Sequence, residues 1–292
     1  MKRGDYRIED ESDVMVKEEI EHIVDWIKQD ESVITVKEEI QNIVDWIKHY
    51  FVENGPNSKA IIGISGGKDS TIAAALCVKA LGSDRVIGIL MPEGIQTDID
   101  DARKICEVLG IRSYEINIAS SCNALYRAID EGYDYDHNIY NNKAVSTNLP
   151  ARIRMTTLYA MAAELGGRVC NTCNRSENYV GYSTKYGDHA GDFSPLGNYT
   201  VRELLAIGEM LHQEMNIPNE LIYKTPSDGM CGTTDEENLG FTYEVLDAYL
   251  LDGVVPEYEV FKLIEQAHER NRHKNCYMPV CRNLNRRGKF MF

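Results

Sequence analysis

The chain has 292 residues, with 31 basic and 46 acidic side chains and a formal net charge of −15. That length is enough for one large domain or two small ones with a real core, and the acidic balance argues against non-specific nucleic-acid binding, which depends on basic surface to release counterions. Apolar runs fall well short of the roughly 20 residues that span a bilayer, the start MKRGDYRIEDESD has no apolar stretch of a signal peptide, and eight cysteines in a chain this size do not read as a small secreted disulfide scaffold. We expect a soluble, cytoplasmic protein with neither a membrane nor a nucleic acid as partner.

The first element is a repeat. DESDVMVKEEIEHIVDWIK at 10–28 recurs as DESVITVKEEIQNIVDWIK at 30–48, and in each copy apolar residues return at three- and four-residue steps, as on an amphipathic helix. Ser12 or Ser32 is the candidate start of each helix. Two copies are too few for a solenoid, so we read a duplicated N-terminal helix, one copy packing on the core and the other accessory. Residues 1–34 are expected to form an N-terminal extension, and 35–292 a single domain.

From residue 59 the pattern alternates. KAIIGIS reads as a strand, TIAAALCVKALG as a helix closed by Gly82, RVIGILMP as a strand, DIDDARKICEVLG as a helix closed by Gly110, and RSYEINI as a third strand. LPARIRMTTLYAMAAELGG then reads as a helix and RVCNT as a fourth strand, and beyond residue 200 three helical segments surround a long polar loop at 223–240. Strands separated by helices of this length predict an α/β fold, a doubly wound, mostly parallel sheet with helices on both faces. Ligands in such sheets sit beyond the carboxyl ends of the strands. The turn GISGGKDS, the loop MPEGIQTDID and the segment NTCNRSE all follow strand ends, so all three are expected to face one crevice.

Gly63, Ile64, Ser65, Gly66, Gly67, Lys68, Asp69 and Ser70 form the first of these. Glycines let backbone approach an anion, and the following helix offers free N–H groups and the positive end of its dipole. Lys68-Asp69-Ser70 breaks the Lys-Ser/Thr ending of the common phosphate loop. An acid beside a phosphate is repulsive unless a cation mediates, and Asp69 therefore implies Mg²⁺, a hard ion that prefers carboxylate and phosphate oxygens.

SGGKDS resembles the pyrophosphate loop of the ATP pyrophosphatases, enzymes of the adenine nucleotide alpha hydrolase-like fold that adenylate an acceptor and release pyrophosphate. LPARIRM, NRSENYVGYSTKYGDHAGDFSPLG, YKTPSDG and RHK follow in the order seen in ammonia-dependent NAD synthetases, and from about residue 36 onward the chain is similar to that family. The resemblance implies amidation of deamido-NAD by ammonia through an adenylated carboxylate, with ATP as co-substrate and AMP and pyrophosphate as products. It implies ATP contacts from residues 63–70, Thr172 and Ser227, and Mg²⁺ ligands in Asp69 and Glu177. It implies deamido-NAD contacts from Arg152, Lys185, Asp192, His273 and Lys274, and an ammonia site at Asp188. Asp69, Asp188 and Lys185 would carry the chemistry, in a homodimer. The roughly 50 residues ahead of the first strand are too few for a glutamine-hydrolysing domain, so the expected nitrogen source is free ammonia or a separate protein.

Three features depart from the family pattern. Asn171-Thr172-Cys173 replaces a glycine-containing segment, which weakens the Thr172 assignment. Val201 stands where many members carry an ATP-contacting lysine, a role Arg202 cannot take from the next position of a helix. Cys170 and Cys173 form a CxxC, for which burial in a strand is the expected explanation rather than a metal. The competing readings are a tRNA-modifying adenylating enzyme of the same superfamily, which needs a basic extension, and a non-catalytic nucleotide-binding protein.

Overall fold

Two β-branched runs become the centre of the sheet: β1 (Lys59–Gly63) and β2 (Val86–Leu90), flanked by β3 (Arg112–Glu115) and β4 (Gly167–Cys170). In the computed structural model, which describes residues 30–96, 98–133, 138–224 and 234–281, the order is β3-β2-β1-β4 and every pairing is parallel, with Ile61 opposite Ile87 on one side and Val169 on the other. The chain runs outward from β1 through β2 to β3, then returns to place β4 on the other side of β1. The strand order therefore reverses between β1 and β4, where a doubly wound sheet opens its crevice.

Successive residues of a strand face opposite sides, so Ile61 enters one apolar layer and Ile62 the other. The Ile62 side is covered by α1 (Asp30–Asn54), α2 (Lys68–Leu81), α3 (Ile99–Val108) and α7 (Val201–Met215), which contribute Ile47, Phe51, Ile72, Leu76, Ile105 and Leu204. On the Ile61 side lie α4 (Ala119–Asp130) and α5 (Lys143–Leu165), with Cys122 and Leu149. Burial on both faces explains why β1 and β2 read as continuous apolar runs rather than alternating ones. The second repeat copy is α1, which begins two residues ahead of Ser32 and buries Val36, Ile40, Ile43, Val44 and Ile47. The first copy lies outside the described residues.

Several boundaries differ from expectation. Helix α5 starts at Lys143, capped by Asn142, so Pro150 lies inside it rather than at its start. Strand β3 stops at Glu115, and α4 had no counterpart in the sequence reading. The polar loop contains α9 (Asp235–Leu239), preceded by α8 (Asn219–Ile222); α6 (Arg175–Val180), α10 (Tyr243–Asp252) and α11 (Tyr258–Asn271) complete the described helices.

Buried Asp247 in α10 ties three of these helices together. Its Oδ1 accepts from Ser176 Oγ at 2.5 Å and its Oδ2 from the Arg202 N–H at 2.8 Å, while Ser176 Oγ accepts from the Val201 N–H at 3.1 Å. Burial, only partly offset by these donors, pushes the Asp247 carboxyl up to about 6. A carboxyl raised in the folded state holds its proton more tightly there, so stability falls as pH rises from about 4 to 6, by about 3 kcal/mol. Chemical denaturation of the wild type and Asp247→Asn from pH 4 to 7 should show this slope in their difference.

Candidate functional site

Helix α2 begins where β1 ends. Its N-cap is Gly67, with no side chain satisfying the first-turn amides, so those N–H groups remain available to an anion. Gly66 adopts φ +84°, and a Cβ there would stand 2.9 Å from Asp101 Cβ and 3.0 Å from the Ala102 nitrogen. The turn is thus pressed against the start of α3, where Lys224 bridges Asp98 at 2.6 Å and Asp101 at 2.8 Å. Of the three expected crevice loops, the first two are in contact. Ser65 and Ser70 serve the turn itself: their hydroxyls lie 3.1 Å apart, Ser65 Oγ accepts from the Gly67 N–H, and Ser70 Oγ donates to the Gly67 carbonyl.

The third loop, after β4, brings Glu177 to Asp69 and Lys68. Glu177 closes a capping box on α6: its Oε2 accepts from the Asn174 N–H at 3.0 Å, and Asn174 Oδ1 accepts from the Glu177 N–H at 2.9 Å. Burial and then the charge of Asp69 push its carboxyl well above the usual range, against the pull of Lys68. Lys68, 5 % exposed, places Nζ 3.0 Å from Asp69 Oδ2. Burial would push the ammonium down, but Asp69, Glu177 and Asp235 outweigh it and leave Lys68 raised. Asp69 Oδ1 is buried with no hydrogen-bond partner.

That unpartnered oxygen, beside a second carboxylate held at elevated pKa, fits a hard divalent cation. Among the described residues no three His, Cys, Asp or Glu side chains form a metal cage. Two carboxylates with the remaining positions left to water and phosphate oxygens suit Mg²⁺.

The residues expected to hold deamido-NAD are each held by contacts within the chain. Arg152 Nε donates to the Lys185 carbonyl at 3.3 Å, and Lys185 Nζ donates to the carbonyl of His273, whose ring Nδ1 lies 3.2 Å from the Arg270 carbonyl. Lys274 Nζ donates to the Gly181 and Ser183 carbonyls at 2.7 and 2.8 Å, just past the end of α6, and burial lowers its pKa. Asp192 accepts from the Val169 N–H at 2.7 Å and from the Tyr159 hydroxyl at 3.3 Å. It lines a cleft of about 800 Å³ with Asn171, Arg175, His189, His268 and Tyr277. Asp188 Oδ1 accepts from the Thr184 N–H at 2.9 Å, and although the residue reaches solvent, the crowding around its carboxyl raises its pKa. Thr172 is half-buried beside Asn171, and Ser227 lies outside the described residues.

The departures have physical explanations. Asn171 knits the end of β4 to the following segment, donating to the Asp188 carbonyl at 2.9 Å and accepting from the Cys173 N–H at 3.0 Å. Gly191 makes room for it, since a Cβ there would come within 2.6 Å of Asn171 Cβ. The two cysteines diverge: Cys170 interacts with Cys77 and Cys173 Sγ with the Asp188 carbonyl, and burial keeps both thiols protonated. Val201 is buried, and Arg202 forms a two-pronged pair with Asp252 at 2.9 Å.

Sequence reading passed over Asp235 and Tyr243 beside Lys68, and His189 in the cleft. None carries a motif of its own; the only available signal was the spacing of TDEE and TYEV at helix starts.

The chain matches the model of the NAD synthase family over residues 39–278. The NH(3)-dependent NAD(+) synthetase of Methanocaldococcus jannaschii is 38 % identical over 244 residues, 78 % of this chain and 91 % of that protein. Among solved structures, an NMN synthetase from Francisella tularensis superposes with a TM-score of 0.75 at 32 % identity, covering 84 % of this chain and 98 % of its own. An NH3-dependent NAD synthetase from Campylobacter jejuni gives 0.64 at 26 % identity, covering 85 % and 99 %. With its sheet reversing between β1 and β4 and its glycine-rich turn and acidic pair at that reversal, the chain belongs to the NAD synthase family.

Proposed function

We propose that this enzyme amidates deamido-NAD with ammonia at the expense of ATP, releasing AMP and pyrophosphate and yielding NAD. The observation that carries the reading is the buried, unpartnered Asp69 oxygen beside Glu177 and Lys68, at a helix start where the strand order reverses. In this reading residues 63–70, with Thr172 and Ser227, hold the ATP phosphates, and Asp69 and Glu177 hold Mg²⁺. Bound there, the metal would neutralise phosphate charge.

A nicotinate carboxylate is a poor electrophile, because its charge is delocalised and oxide is no leaving group. Transfer to AMP creates a mixed anhydride with a good one. Arg152, Lys185 and Lys274 supply the positive charge that lets the acceptor carboxylate approach phosphate, and His273 and Asp192 complete the dinucleotide site. Lys274 reaches the substrate by exchanging its carbonyl partners at Gly181 and Ser183. Ammonia is mostly ammonium at neutral pH, and Asp188 attracts it. The raised pKa makes Asp188 a better proton acceptor than an ordinary carboxylate.

The protein acts as a homodimer in this reading, as the family resemblance implies. Residues 35–292 form the synthetase domain and 1–34 an extension. No helix among the described residues is long and apolar enough to cross a membrane, and we place the enzyme in the cytoplasm. The acidic balance of the chain, with a net charge of −15, argues against the tRNA-modifying alternative. The likeness to an NMN synthetase makes nicotinate mononucleotide a second acceptor to be tested.

Purified protein with MgATP should release pyrophosphate when deamido-NAD is added, and should form NAD with ammonium chloride but not with glutamine. Release with nicotinate mononucleotide alone would transfer the reading to that acceptor, and release with neither would refute it. Asp69→Asn and Glu177→Gln should each lower kcat/KM by about 10²–10³-fold, as expected for loss of one group that stabilises developing phosphate charge.

A further inference from the structure

Tyr243 opens α10 immediately after its N-cap, Thr242, and is 3 % exposed. Its backbone N–H donates to Glu236 Oε1 at 2.8 Å, which fixes where the side chain emerges. The ring lies over Lys68, with Nζ 5.9 Å from the centroid. The hydroxyl is buried and has no hydrogen-bond partner. A buried hydroxyl without a partner is costly, and phenylalanine would fill the same space without that cost.

The surroundings indicate what the hydroxyl faces. Asp69 Oδ1 is unpartnered, and so is Asn174 Nδ2, at the capping box that also holds Glu177. Three helices, α2, α6 and α10, thus turn their starts toward one place and leave polar atoms unsatisfied there. These atoms can be satisfied together by a ligand with acceptor oxygens and a cation.

We propose that the Tyr243 hydroxyl is a binding donor for the pyrophosphate group of ATP, hydrogen-bonding an oxygen that leaves with pyrophosphate rather than one that stays with AMP. The inference rests on the reading of this crevice as the ATP site. Burial and the nearby charges of Glu177, Asp235 and Asp69 hold the phenol well above its usual range, so it remains a donor at every working pH. Lys68 beneath the ring supplies charge and Tyr243 supplies direction, so the two act on the same oxygens without duplicating each other.

Tyr243→Phe tests this by calorimetric titration of the full-length protein with magnesium pyrophosphate and, separately, with AMP, alongside a ligand-free melting curve. The expected result is a pyrophosphate Kd raised about tenfold, the cost of one lost hydrogen bond to a charged group. AMP affinity should change less than twofold, and the ligand-free melting temperature should stay the same or rise. Equal pyrophosphate affinity in wild type and variant would overturn the inference while leaving the proposed reaction standing. A parallel loss for AMP, or a marked fall in melting temperature, would also overturn it, because either would mean that the hydroxyl supports the fold. Failure of the wild type to bind magnesium pyrophosphate would remove the ATP-site reading itself, and this inference with it.

Discussion

The buried ammonium of Lys68 facing Asp69, Glu177 and Asp235 is the interaction on which the site depends. At an effective dielectric near 20, a pair 3.0 Å apart such as Lys68 and Asp69 has a gross attraction of about 5 kcal/mol. Removing each charge from water costs several kcal/mol in return. One cation can therefore hold one carboxylate comfortably, and the others remain under-compensated. The strain is visible in the raised Glu177 carboxyl and in the oxygen of Asp69 left without a partner. Such a cluster is a poor way to stabilise a fold and a good way to prepare a place for a dication carrying phosphate.

The fold delivers these charges through helix starts. The reversal of strand order between β1 and β4 puts the N-termini of α2 and α6 side by side, and α10 closes over them from a distant part of the chain. Asn174–Glu177, Thr200–Glu203 and Thr234–Glu237 are capping boxes that define where α6, α7 and α9 begin. Asp247 then links Ser176 to the first turn of α7. Glu177 belongs to two of these arrangements at once. One oxygen caps its own helix and the carboxylate as a whole faces Asp69, so the ordinary capping role and the proposed metal role coexist.

Much of this was legible in the sequence. The four strands and the helices α2, α3, α7, α10 and α11 were readable because their apolar periods are long and end in glycines or polar turns. Helix α4 was missed because ASSCNALYRAID opens on small polar residues and shows only Cys122 and Tyr126 to the core. The start of α5 was missed because Pro150 reads as a first-turn residue. At the site, glycines and an aspartate out of place drew attention to the turn after β1, but the inward bonding of Ser65 and Ser70 depends on the turn's own geometry. Tyr243 was illegible, since a tyrosine on an apolar helix face reads as core until Lys68 is seen beneath it. Lys274 was legible by its resemblance, yet its hold on Gly181 and Ser183 joins positions about 90 residues apart.

An acidic, buried crevice of this kind should accept phosphate only together with a cation. Melting curves of the wild-type protein with pyrophosphate, in magnesium and in excess chelator, test it most directly. With magnesium and saturating pyrophosphate the melting temperature should rise by several degrees, as mass action requires of a ligand that binds only the folded state, while pyrophosphate in chelator should leave it unchanged. An equal rise in both would rule out a required cation, because Lys68 and the helix start would then suffice without a metal.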